Sequence, residues 1–75
     1  MRRYKNLGGD AGIRAYQIAA GAITVEFEDG STYLYTDAIT GAENIAQMQR
    51  LAKAGEGLTT FINRFVRERY AKKLR

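Results

Sequence analysis

The run Ile23-Thr24-Val25-Glu26-Phe27-Glu28-Asp29-Gly30 constrains this chain more than any other stretch. Apolar Ile23, Val25 and Phe27 alternate with Thr24, Glu26 and Glu28, the period of two that marks a strand with one buried face. Asp29-Gly30 is a strong hairpin signal, because glycine reaches the left-handed backbone that a tight turn needs. Thr32 to Thr36, rich in Tyr and Thr, reads as the return strand. Upstream, Ile13 to Ile18 is a shorter apolar-rich strand, closed by the weak turn Ala19-Ala20-Gly21-Ala22. The simplest topology is a three-stranded antiparallel meander.

The register of the hairpin has two solutions. A two-residue loop at Asp29-Gly30 pairs Val25 with Leu34 and turns Tyr33 and Tyr35 to the outer face. A three-residue loop, Glu28-Asp29-Gly30, pairs Val25 with Tyr33 and Ile23 with Tyr35, which turns both tyrosines inward. A slip of one residue flips every side chain. Outward tyrosines would form a platform on which unpaired bases stack. Inward tyrosines would belong to the core, with Leu34 left as an apolar residue on the outer face. The inward register is favoured, since so small a domain needs the aromatic area.

Two helices are expected next. Thr40-Gly41-Ala42-Glu43 matches a capping box, and Ile45, Met48, Leu51 and Ala52 follow at helical spacing up to a stop at Gly55. After the hinge Gly55-Glu56-Gly57, apolar Leu58, Phe61, Ile62, Phe65, Val66 and Tyr70 predict a second helix reaching the C-terminus. The expected fold is therefore α+β: a three-stranded antiparallel β-meander followed by two helices packed on one face (βββαα). Residues 13–75 would form the single domain. Residues 1–12, basic and then glycine-rich, read as a flexible arm. The string Gly8-Gly9-Asp10-Ala11-Gly12 lacks the Gly-Lys-Ser/Thr ending and the preceding strand of a phosphate loop.

Composition narrows the chemistry. The 75 residues include no Cys and no His. Thiol nucleophiles, disulfides, zinc ribbons and every His-based triad therefore have no residues to use. Glu26 and Glu28 share a strand face, but no base or metal-ligand set accompanies them, and a solvated sheet face accounts for the pair. The expectation is a protein that is not an enzyme and takes no metal and no cofactor. No apolar run approaches the roughly 20 residues of a membrane span. No apolar stretch follows Met1-Arg2-Arg3-Tyr4-Lys5, as a signal peptide would require, so a cytoplasmic chain is expected.

The net charge of +4 hides a segregation. Residues 1–5 carry +3, residues 64–75 carry +5, and residues 6–63 carry −4. On a helical wheel Arg64, Arg67 and Arg75 lie opposite the apolar stripe, with Glu68 and Lys72 beside them and Arg69 and Lys73 nearer the core. One reading is a phosphate-contacting surface made of Arg64, Arg67, Lys72, Lys73 and Arg75, joined by Arg2, Arg3 and Lys5. The other is a solvated helix end, where cations are favoured by the helix dipole and Glu68 pairs with Lys72. Asn63 and Arg67, one turn apart, read as a polar anchor for the hinge.

Tyr33-Leu34-Tyr35, preceded by Val25-Glu26-Phe27-Glu28-Asp29-Gly30, resembles the Tyr-x-Tyr core of the KTSC domain. Ala52, Gly57, Asn63, Val66-Arg67 and Tyr70 are similar to that family's helical half. The likeness spans about residues 13–70. It departs at Thr40, where the family often carries a proline, and between Gly57 and Asn63, which is longer than the family's link. The family is named for its place at the C-terminus of some lysyl-tRNA synthetases, and RNA binding is suggested by that context. The resemblance thus suggests a small accessory module with RNA as partner and carries over no catalytic residues. Together with the basic ends, the leading expectation is a module that binds RNA or DNA. The alternative is a protein-interaction or homo-oligomeric assembly domain, using Leu34, a free strand edge or the acidic body.

Overall fold

The computed structural model describes residues 1–9 and 12–75; Asp10 and Ala11, and with them the middle of the glycine-rich string, lie outside the described residues. The α+β expectation holds, with a sheet of five strands where three were expected. β1 (Arg2–Arg3), β2 (Ile13–Ala19), β3 (Ala22–Phe27), β4 (Thr32–Thr36) and β5 (Lys72–Lys73) lie side by side in chain order, all antiparallel and without closure. Between β4 and β5 come the short α1 (Asp37–Thr40), α2 (Ala42–Ala54) and α3 (Leu58–Phe61), which widens into a π-helical stretch over Ile62–Val66.

The hairpin adopts the three-residue solution. Val25 faces Tyr33 and Ile23 faces Tyr35. Phe27 and Ser31 close the loop through a 2.8 Å hydrogen bond, and Gly30 takes φ +92°. Only this register puts Tyr35 on the same face as Ile23 and Val25, and all three are almost fully buried. Against them pack Tyr16 and Ile13 of β2, Ile45, Met48 and Ala52 of α2, and Leu58, Ile62 and Val66 beyond it. Leu34, expected to be exposed on the outer face, is only half exposed, because β5 pairs beside it.

The N-terminal segment is docked rather than a free arm. β1 pairs with β2, and Tyr4 is buried, its hydroxyl accepting the backbone N–H of Leu58 at 3.2 Å. Gly55 closes α2 in the left-handed conformation, as expected, and its N–H reaches the Leu51 carbonyl. A Cβ there would stand 2.6 Å from the Cβ of Lys5, so this glycine also admits the passing N-terminal strand.

Two helical expectations fail. The capping box does not form: Gly41 is the N-cap of α2, and the hydroxyl of buried Thr40 instead donates to the Arg69 carbonyl. A tertiary partner has taken the group that a local cap would have used. The last helix ends at Val66. Its final turn is one residue wide of an α-turn, with the Arg67 N–H on the Ile62 carbonyl at 2.6 Å. That widening keeps Leu58, Ile62 and Val66 inward at a spacing of four and rotates Phe65 out to 59% exposure, stacked on Phe61. Past Val66 the segment offers few apolar groups and six charged ones. It returns along the open edge of β4, where Ala71 donates to Leu34 and Leu74 to Thr32, both at 2.7 Å. Pairing satisfies backbone groups that an edge leaves bare.

Candidate functional site

The cationic residues fall on two surfaces. At the C-terminal side, Arg64 projects from the π-helical stretch, Arg67 from the turn after it, Lys72 and Lys73 from β5, and Arg75 from the last residue; all are exposed. They do not share one helical face, because the helix that would have aligned them stops at Val66. Arg2, Arg3 and Lys5 lie on or beside β1, at the other edge of the sheet. Four strand spacings, roughly 19 Å, separate the two edges. The basic ends therefore make two patches.

Their surroundings differ. Arg2, Arg3 and Lys5 border a groove of about 1020 Å³ completed by Tyr16, Gln17, Ile18 and Lys53. Among the described residues four cations and no carboxylate line it. Lys53 reaches this place because Tyr4 and Gly55 pin the N-terminal strand against the end of α2. Sequence reasoning missed Lys53. A lysine in the last turn of a helix is what the helix dipole alone favours, so nothing marked it for a partner.

Of the C-terminal cations, Arg67 borders a second cleft, of about 580 Å³, between the tip of the β3–β4 hairpin and residues 62–70. Tyr33, Tyr35, Asn63, Arg67 and Tyr70 all line it, so residues singled out separately along the chain converge in space. Asn63 is exposed on the rim and does not anchor the hinge. The Tyr70 ring lies 4.6 Å from that of Tyr33 and 6.4 Å from that of Tyr35, and Phe27 meets Tyr33 edge-on at 5.7 Å. Burial pushes the Tyr35 hydroxyl up to about 12, with the neighbouring Tyr33 and Tyr70 adding to it. Tyr35 therefore stays neutral over the physiological range.

Glu28, Asp29 and Glu68 line the same cleft. Asp29 is held below the ordinary carboxylate range by the Ser31 N–H, which it accepts at 2.9 Å, then by the Ser31 hydroxyl, with the charge of Lys73 a minor cause. Glu26 and Glu28 are matched by Arg14, whose guanidinium stands 3.8 and 3.7 Å from them and donates to the Glu28 carbonyl at 2.7 Å. Arg14 sits at a β-bulge, where β2 shifts register against β3 between Ile13 and Ala15. The bulge re-aims its side chain over the two glutamates.

Among the described residues no helix is long and apolar enough to cross a membrane. No family model matches the chain, and no curated protein or solved structure is detectably similar to it. The likeness to the KTSC domain rests on the motif residues alone.

Proposed function

We propose that this chain is a non-catalytic accessory module that binds nucleic acid, RNA or DNA, with the groove along β1 as its principal contact. The observation that carries this reading is the lining of that groove: Arg2, Arg3, Lys5 and Lys53, with no opposing carboxylate among the described residues. Clustered cations of one sign in a concavity concentrate polyanions and contact phosphates without regard to sequence. The C-terminal cations Arg64, Arg67, Lys72, Lys73 and Arg75 play a secondary part, because they are spread over several elements and Glu28, Asp29 and Glu68 share a cleft with Arg67. The residue types on both surfaces suit binding rather than proton or acyl transfer, with no His or Cys to act as base or nucleophile.

The test is binding of single-stranded RNA and duplex DNA at several salt concentrations. Affinity should fall steeply with salt, and Lys53→Ala should flatten the single-strand slope by about 0.7, the share of one phosphate. Arg75→Ala should change it less. Equal loss from both variants, or no binding at low salt, would overturn the assignment to the β1 groove. A second reading, a protein-interaction or assembly module, draws on the outer sheet face, which presents Gln17, Thr24 and Leu34 with no helix over it. A solution mass twice that of the monomer, independent of nucleic acid, would favour it.

A further inference from the structure

The cleft between the hairpin tip and residues 62–70 has a chemistry opposite to that of the β1 groove. Its walls are the rings of Phe27, Tyr33, Tyr35 and Tyr70, and its charged lining is Glu28, Asp29 and Glu68 against a single Arg67. Aromatic faces carry partial negative charge and attract cations, most strongly where carboxylates add to the field. Glu28 is already paired with Arg14, so an anion placed here would meet Asp29 and Glu68 beside the Arg67 guanidinium.

The chain already makes the interaction once. The Lys73 ammonium stands 5.8 Å from the centroid of the Tyr33 ring, and its charge is felt at Asp29. Tyr33 and Asp29 both line the cleft. Lys73 is itself exposed and belongs to a strand of two residues, so its side chain can leave without disturbing the core. The volume of about 580 Å³ is within the range of small-ligand sites and exceeds what one lysine head needs.

We propose that this cleft receives an alkylammonium group, held by the Tyr33, Tyr70 and Phe27 rings with Asp29 and Glu68 as counter-charges, and that Lys73 is its resident competitor. The proposal is independent of nucleic-acid binding, since no residue of the β1 groove takes part in it.

Two probes distinguish the source of the cation: tetramethylammonium chloride, and a short neutral peptide bearing one trimethyl-lysine. Each is titrated into the full chain while NMR shifts of Tyr33 and Tyr70 are followed, with potassium chloride at matched ionic strength as control. Saturable shifts are expected at those rings. Lys73→Ala should tighten binding about 2- to 5-fold, the worth of an exposed cation–π contact. Glu68→Gln and Asp29→Asn, both at exposed positions, should weaken it, and Tyr33→Leu should abolish it. Saturation by the free cation as well as by the peptide identifies a small-molecule site; saturation by the peptide alone identifies a protein-borne side chain. Shifts no larger than with potassium in both the parent and Lys73→Ala would overturn the proposal. Tighter binding of adenosine monophosphate in the same cleft would do so equally.

Discussion

Single residues in this fold serve two elements at once, and their substitutions report that double duty. Gly55 ends α2 at φ +82° and stands against Lys5. Gly55→Ala is expected to cost more than the roughly 1 kcal/mol of an ordinary left-handed glycine, since the N-terminal strand must also move. Urea unfolding of the variant checks this, and a loss below that figure would mean that Lys5 yields freely. Thr40 ties the end of the first helical turn to the Arg69 carbonyl, 29 residues away. Thr40→Val should lower stability by about 1 kcal/mol, because a part-buried hydrogen bond is lost and its acceptor is left without this donor. Tyr35 adds a pH dependence. Below pH 10 its hydroxyl is neutral whether the chain is folded or not. Above that the unfolded chain ionises first, so stability should fall as pH rises from 10 towards about 12. Urea midpoints across that window should drop less in Tyr35→Phe than in the parent.

At the scale of elements, what could be read from the sequence depended on how local the determining forces were. The β3–β4 hairpin was legible in its place and turn, because Gly30 and the alternation of Ile23, Val25 and Phe27 lie within a dozen residues. These left two registers open, and only the demand for buried aromatic area favoured the observed one. The stop of α2 at Gly55 was equally local. The start of α2 was misread because the hydroxyl of Thr40 answers to a distant carbonyl. The last helix was misread because its apolar spacing fits an α-helix as far as Tyr70, whereas the open edge of β4 recruits residues 71–75 as a strand. Of the candidate sites, Tyr33, Tyr35 and Tyr70 were legible as individual aromatics but their convergence was not. Lys53 carried no sequence signal at all. The edge pairing has its own measurable consequence: deletion of residues 71–75 should speed amide exchange at Thr32, whose N–H donates to the Arg75 carbonyl at 3.3 Å. Unchanged exchange would mean that β5 adds nothing to the edge.

For the whole molecule, charge and sheet topology are linked. The outermost strands are only two residues long, Arg2–Arg3 on one side and Lys72–Lys73 on the other. Short cationic edges resist pairing with a second copy, since like charges would meet across the new ladder. The double variant Lys72→Thr, Lys73→Val should therefore self-associate at lower concentrations than the parent, as measured by light scattering. If the variant stays monomeric, edge charge is not what keeps copies apart. The same segregation leaves a cationic groove on one side and an aromatic, carboxylate-bearing cleft on the other, so partners of opposite charge would meet different parts of one small body.

The return of residues 71–75 along β4 also sets an order of events in time. Synthesis proceeds from the N-terminal end, so the β2–β3–β4 meander can assemble while β4 still lacks its neighbour. Its outer side stays open until residues 71–75 have left the ribosome. A chain broken off before residue 71 would be a nearly complete globule with a sticky seam, the species that quality control would have to remove.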